Sequence, residues 1–258
     1  MRFLLLGPLE VHRADGGRVE LRRLKLRQLL AYMLLNRGRA VSTERLSNAL
    51  WGERPPASAH GNLKTYVSML RNELRATGAS IRTVPSGYRL DAPQDSLDVV
   101  RFEDHRAAGA AALARGDHAA AAGHLRAAAE LWRGPALEDL VGESEALRNA
   151  ATLLDDRLIE TLHRLAAVHR RLGEYGEAVA WLRVALAIYP LHERLWADLM
   201  IALYEDGRRG DALAAYLQCR DVLTEQLGVE PGPHLAELHQ RILAARPPTL
   251  ADARGAAR

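Results

Sequence analysis

The stretch HGNLKTYVSMLRNELRATG, residues 60–78, followed at once by IRTVPSGYRL, residues 81–90, decides how the first part of the chain is read. Leu63, Tyr66, Val67, Leu70 and Leu74 recur at i, i+3, i+4, i+7 and i+11, the period of one buried helical stripe. At about 100° of turn per residue, Lys64, Thr65, Ser68, Asn72 and Arg75 fall on the opposite side. Arg71 lies at the boundary between the faces, and the one acid, Glu73, sits nearer the apolar side. Ile81/Thr83 and Tyr88/Leu90 then alternate about Pro85-Ser86-Gly87, which predicts a β-hairpin. Taken alone, a basic face rich in hydrogen-bonding groups reads as a solvated surface. The segments around it change that reading.

Upstream, RFLLLGPLEVHR (2–13) predicts two short strands around Gly7-Pro8, and GGRVELRR (16–23) predicts the beginning of a third. A helix is expected over about Lys25–Asn36, with Leu26, Leu29, Leu30, Met33 and Leu34 inward and Gly38 just past its end. VSTERLSNALWG (41–52) reads as a second short helix, with Ser42 as N-cap, Glu44 in the first turn and Gly52 as terminator. Pro55-Pro56 makes ERPPASA (53–59) a loop. Short strands, three helices and a terminal hairpin spell a winged helix-turn-helix, whose last helix enters the major groove while the hairpin grips the backbone or minor groove. In that setting Lys, Arg, Asn, Ser and Thr on the exposed face are the side chains that bond to phosphates and base edges.

Charge points the same way. Residues 1–95 hold 16 Lys/Arg against 8 Asp/Glu, while the remainder holds 19 against 24, so a net of +3 conceals a basic first part and an acidic second. The first suits a polyanion. At 258 residues and 48% hydrophobic the chain can bury one large core or two ordinary ones. No apolar run approaches the roughly 18 residues of a membrane span, and the Phe3–Leu6 run is too short for a signal peptide. A single cysteine, Cys219, excludes an intramolecular disulfide and fits a reducing cytoplasm; Leu213, Tyr216 and Leu223 share its helix face, so it reads as a packed thiol.

LDAPQDSLDV (90–99) reads as a linker, and from about Leu97 the pattern is helical and alanine-rich. RLGEYGEAVAWLRVALAIYP (171–190) and EDGRRGDALAAYLQCRDVLT (205–224) repeat one another at a shift of 34 residues, Gly173 matching Gly207 and Ala178 matching Ala212, the period of a tetratricopeptide helix pair. Leu162 and Trp196, and Leu165 and Leu199, match at the same shift. ARGDHAAAAGHLRAAAELWRGP (114–135) is a more degenerate copy, with Gly116, Ala121, Leu125 and Ala128. Helices near 145–170 and 233–244 would complete and cap a stack whose surface suits a protein partner or self-association.

FLLLGPLEV (3–11), LWGERPP (50–56), NLKTYVSMLRNEL (62–74), VPSGYRL (84–90), LHERLWADLMIALYEDGRRGDALAAY (191–216) and LGVEPGP (227–233), in this order, resemble the SARP family, the Streptomyces antibiotic regulatory proteins. The resemblance covers roughly residues 1–245. It implies an α+β winged helix-turn-helix domain of OmpR type over 1–92, a linker at 93–97, and an all-α bacterial transcriptional activation domain with tetratricopeptide-like repeats over 98–245; residues 246–258 are expected to be a disordered tail. It also implies a cytoplasmic, nucleoid-associated activator of a secondary-metabolite gene cluster. Such a protein binds direct repeats near the promoter −35 region as a homodimer and recruits the RNA polymerase holoenzyme through its sigma and alpha subunits. On that pattern Asn62, Lys64, Thr65, Ser68, Arg71, Asn72 and Arg75 face DNA, with Lys64, Ser68 and Asn72 at base edges and Arg71 and Arg75 on the backbone. Arg82, Ser86 and Arg89 of the wing contact phosphate or minor groove. Lys25, Arg27 and Thr43, at the starts of the first two helices, meet phosphates. Trp51, Glu53, Arg54, Pro55 and Pro56 correspond to the segment that touches polymerase.

The sequence carries no GxxxxGK[ST] loop, and both lysines precede residue 65, so nucleotide hydrolysis by that route is not expected. The ten histidines lack metal-ligand spacing; His118/His124 and His163/His169 stand six apart, on different helix faces. Asp155-Asp156 and Glu143/Glu145 read as ordinary charged surface, with no nucleophile or glycine-rich loop beside them. No cofactor, metal site or catalytic residue is expected. The alternative reading is an adaptor that binds protein through the helical repeats, with DNA binding secondary. The charge split argues against it, since an adaptor has no need of a basic third helix.

Overall fold

The structure, a computed structural model, describes residues 2–13, 15–75, 78–142 and 144–245. Residues 246–258, read above as a tail, and Glu143 lie outside the described residues. The chain forms two compact units, Met1–Asp104 with Glu130–Arg157, and His105–Ala129 with Leu158–Arg258.

The first unit opens with β1 (Arg2–Leu4) and β2 (Glu10–His12), antiparallel in the register Phe3↔Val11. The expected third strand is reduced to a single bridge, His12↔Arg18, made by Val19 N–H to Val11 O at 2.8 Å and Arg13 N–H to Gly17 O at 2.7 Å. Only Val19 of that stretch is buried, so nothing holds Glu20–Arg23 in a ladder. Helix α1 (Leu24–Leu35) buries all five of its expected core residues. Helix α2 (Thr43–Trp51) is capped by Ser42, whose Oγ accepts the Arg45 N–H at 3.1 Å, and it stops at Gly52 with φ 69°. Helix α3 (Ala59–Glu73) buries Leu63, Val67 and Leu70, with Leu74 at its C-cap; Tyr66 is only half-buried.

The hairpin of β4 (Ser80–Val84) and β5 (Gly87–Asp91) is joined by β3 (Ala40–Ser42), giving the sheet order β3-β5-β4. Strand β3 escaped the sequence reading because three residues with one buried side chain, Val41, show no alternation before the Ser42 cap begins. Gly87, at φ 151°, is where β5 approaches β3 most tightly, and a side chain is excluded because a Cβ there would lie 2.1 Å from Val41 O.

Residues 93–97 do not form a free linker. Gln94–Ser96 make a 3-10 turn, Ser96 and Leu97 are buried, and Leu97 bridges Phe3 in parallel. Asp98, which opens α4 (Asp98–Ala114), places its carboxylate in the core of this unit. It accepts the Leu5 N–H at 2.9 and 2.8 Å, the Leu6 N–H at 2.9 Å and the Val99 N–H at 2.8 Å. Polar and proline-rich composition reads as a connector, whereas the decisive partners are backbone donors over ninety residues away.

Residues 130–157 return to the same unit. Arg133 N–H donates to Leu6 O at 2.9 Å, and Leu137 N–H to Gly7 O at 3.0 Å. Gln28 Nε2 donates to Leu140 O at 2.9 Å, Ser144 Oγ to Ala49 O at 2.6 Å, and Leu9 N–H to Asp139 Oδ1 at 3.0 Å. Phe102 meets Trp132 edge to face at 5.4 Å. The compact unit is therefore not the contiguous 1–92 of the sequence reading. Asp155, read as plain surface, is half-buried and accepts the Ala136 N–H at 3.0 Å.

In the second unit lie α5 (His118–Ala129), α7 (Tyr175–Ile188), α8 (Glu193–Glu205), α9 (Arg209–Leu227) and α10 (Pro233–Leu243), together with the C-terminal parts of α4 and of α6 (Glu145–Arg171). One turn recurs three times. Gly116, Gly173 and Gly207 stand at φ 75°, 75° and 76°, and each following residue returns its N–H to the preceding helix: Asp117 to Ala112 O, Glu174 to His169 O, Arg208 to Leu203 O. The matched positions Ala121, Ala178 and Ala212 are all fully buried, since only a small side chain fits where successive helices meet. Ion pairs join α6 to α8 at a similar spacing, His163–Asp198 at 2.6 Å and Arg170–Glu205 at 2.6 Å. Cys219 is buried, and burial together with nearby Glu193 pushes its thiol up to about 12.

Candidate nucleic-acid interface

The face of α3 opposite its core stripe is built by the helical period alone. Lys64, Ser68 and Asn72 follow one another at i, i+4 and i+8, all exposed, and their side chains have no partner among the described residues. They span about 12 Å of helix, close to the width of the major groove. Thr65 and Arg75 are exposed beside them; Thr65 Oγ1 donates to Gly61 O at 3.1 Å. Asn62 is half-buried, its Nδ2 donating to Ser58 Oγ at 3.1 Å.

The wing flanks this helix. Ser86 is exposed at its tip. Arg82 and Arg89 share one carboxylate, Asp91, at 2.6 and 3.3 Å, which fixes both guanidiniums on the sheet and leaves further N–H donors on each. Arg71 differs from the other cations of α3. Its Nε donates to Ile81 O at 2.9 Å and its Nη2 to Thr83 Oγ1 at 2.8 Å, so it reaches across to the wing.

The residues expected at phosphates on the first two helices separate. Thr43, the first residue of α2, is half-buried beside a cleft of about 660 Å3 shared with Ser47, Pro55, Pro56 and His60. Lys25 instead gives its Nζ to Leu50 O, and Arg27 pairs with Asp139 and donates to Leu9 O at 3.2 Å. Both side chains are half-buried and tied to acceptors within the unit that the sequence reading had no means of placing. In the loop after α2, Trp51 stacks on Tyr66 at 6.4 Å, while Glu53, Arg54, Pro55 and Pro56 are exposed. His60 was passed over by the sequence reading. It stands one turn before Lys64, exposed, and the same i, i+4 count that found Ser68 and Asn72 also finds it.

Among the described residues no group of three His, Cys, Asp or Glu could hold a metal ion, and no helix is long and apolar enough to cross a membrane.

Two family models match the chain: "Transcriptional regulatory protein, C terminal" over residues 17–90 and "Bacterial transcriptional activator domain" over 97–243. The transcriptional regulatory protein EmbR of Mycobacterium tuberculosis is 37% identical over 249 residues, covering 95% of this chain and 64% of that protein. The chain thus spans just under two thirds of that relative's length. Regulatory protein DnrI of Streptomyces peucetius is 36% identical over 256 residues, covering 96% of this chain and 93% of its own. Transcriptional regulator RedD of Streptomyces coelicolor is 36% identical, covering 94% of this chain and 70% of its own. Among solved structures, Mycobacterium tuberculosis EmbR in complex with a low-affinity phosphopeptide superposes with a TM-score of 0.81 at 35% identity, covering 99% of this chain and 69% of that one.

Proposed function

The chain belongs to the SARP family of transcriptional regulators, and we propose that it activates transcription by binding promoter DNA through α3 and the wing. The family consists of regulators, not enzymes. The observation that carries the proposal is the row Lys64, Ser68, Asn72: three polar side chains at one-turn spacing, exposed and unpartnered among the described residues, next to a hairpin. A solvated surface needs no such row, whereas base edges in a groove need donors and acceptors at this rise. Thr65 and Arg75 reach the backbone beside it, Thr43 offers a phosphate contact at the start of α2, and Arg82, Ser86 and Arg89 contact the adjacent phosphates or minor groove. Lys25 and Arg27 are not part of this surface.

The target is a pair of direct repeats near the −35 region of a secondary-metabolite gene cluster, occupied by a homodimer in the cytoplasm. The exposed loop from Glu53 to Pro56, anchored through Trp51, engages RNA polymerase holoenzyme at its sigma and alpha subunits. The recurring Gly116, Gly173 and Gly207 turns support reading the second unit as tetratricopeptide-like. A groove of about 360 Å3 over Trp196, Leu199 and Leu203, rimmed by Arg183 and Asp211, gives that unit a surface for protein.

The test is selection of a site from a random duplex library with the full chain, followed by footprinting. Lys64→Ala and Asn72→Ala should each change which base is preferred, by about 1–3 kcal/mol for a direct contact. Equal loss on every sequence would make them backbone contacts. Diffuse, salt-sensitive binding with no selected site would refute the proposal and favour the adaptor.

A further inference from the structure

Arg71 is exposed at the boundary of the recognition face, and its guanidinium is committed to the wing. Nε donates to Ile81 O at 2.9 Å, Nη2 donates to Thr83 Oγ1 at 2.8 Å, and Cζ lies 5.9 Å from the centroid of the Tyr88 ring. Ile81 and Thr83 belong to β4, and Tyr88 belongs to β5, directly opposite Thr83 in the ladder. One side chain therefore touches both strands of the hairpin from the helix beside it. Strand β4 is the outer strand of the sheet, with β5 on one side and no strand on the other among the described residues; β3 holds the hairpin through β5, and on the open side its position depends on what α3 offers it. Of the cations on the exposed face, Lys64 and Arg75 make no such contact among the described residues.

We propose that Arg71 is a positioning residue. It locks the wing to α3, and so sets the distance between the base-reading row and the wing contacts, instead of binding a phosphate itself. The chemistry requires arginine. Two N–H donors of a planar fork meet a carbonyl and a hydroxyl in β4 while Cζ lies over an aromatic ring. A lysine ammonium carries the same charge but cannot span those acceptors with fixed geometry. Had Arg71 served only as a phosphate contact, its charge would suffice and Lys would replace it. The inference rests on the DNA reading above.

The experiment uses the full chain and the duplex selected from the random library. Wild type is compared with Arg71→Ala, Arg71→Lys, Thr83→Val and Arg75→Ala, each first checked for an unchanged thermal transition. Affinity is measured over a range of salt, and hydroxyl-radical footprints are recorded. Arg75→Ala should lower the slope of log K against log salt by about 0.9, the signature of one lost phosphate contact. Arg71→Ala should leave that slope unaltered, weaken site binding about tenfold, on the scale of a charged hydrogen bond, and erase the wing's part of the footprint while the α3 part persists. Arg71→Lys should fail to restore the wing footprint. Thr83→Val, which removes no charge, should weaken it in the same place. A slope lowered by about 0.9 in Arg71→Ala, with recovery in Arg71→Lys, would overturn the inference while leaving the DNA reading intact. Absence of any selected site for wild type would overturn both.

Discussion

Replacing Asp98 with alanine should loosen the first unit while leaving the second alone. The carboxylate is almost fully buried, and it is the acceptor for the N–H groups of Leu5 and Leu6, themselves wholly buried. Removing it strands two buried donors, each costing about 1–3 kcal/mol. Part of that is returned, because the charge was itself poorly solvated: burial pushes the Asp98 carboxyl above its ordinary value, against the pull of the Leu6, Leu5 and Val99 N–H groups. About 3 kcal/mol is the expected net loss, with Asp98→Asn intermediate because one oxygen acceptor survives.

Hydrogen exchange separates the two units. Amides of residues 2–13 should exchange about a hundredfold faster in Asp98→Ala, the equivalent of about 3 kcal/mol, while α8 and α9 keep their wild-type protection. A change under threefold in residues 2–13, or an equal change in both units, would refute the reasoning. The pH dependence has a definite sign. A raised carboxyl pKa in the folded state means a contribution present in full below the ordinary Asp value and lost as pH rises through the folded value. The gap between wild type and Asp98→Ala should therefore widen as the solution is acidified toward that range, the reverse of a salt-bridged aspartate.

Two further outcomes follow from the same unit. Gly87→Ala should cost at least about 2 kcal/mol through strain and displaced pairing, because its Cβ would meet Val41 O at 2.1 Å; an unaltered melting temperature would refute the clash. A fragment of residues 1–95, lacking both Asp98 and the 130–157 return, should show no cooperative urea transition, whereas 1–157 should; a sharp transition for 1–95 would show that the return is dispensable.

Much of the winged helix is legible from local period. The α1 stripe of Leu26, Leu29, Leu30, Met33 and Leu34, and the α3 core of Leu63, Val67 and Leu70, are inward as expected, since a 3.6-residue repeat records burial directly. The exposed row on α3 is the complement of that stripe, so it is equally readable. What escapes is whatever depends on a distant partner. Lys25, Arg27 and Arg71 look alike as cations on helix surfaces, but one ends on Leu50 O, one on Asp139 and one on the wing. Ser144 gives no sign in the sequence that its hydroxyl will meet Ala49 O across 95 positions. Hydrogen-bond acceptors on the main chain carry no residue identity, and so leave no trace in composition or period.

The return of residues 130–157 has a consequence for the order in which the protein is made. When the last wing residue leaves the ribosome, Leu5, Leu6 and Ala49 still lack the Asp98, Arg133 and Ser144 groups that satisfy them. Some sixty further residues must be synthesised before the unit is complete, roughly 3–12 s at bacterial elongation rates. Through that interval Leu5, Leu6 and Ala49 keep main-chain groups that later segments must satisfy, while the wing strands already have their partners. The first unit therefore closes once residue 157 is available, before the repeats at 171–190 and 205–224 have been made, and a chain truncated before residue 130 should lack a folded first unit.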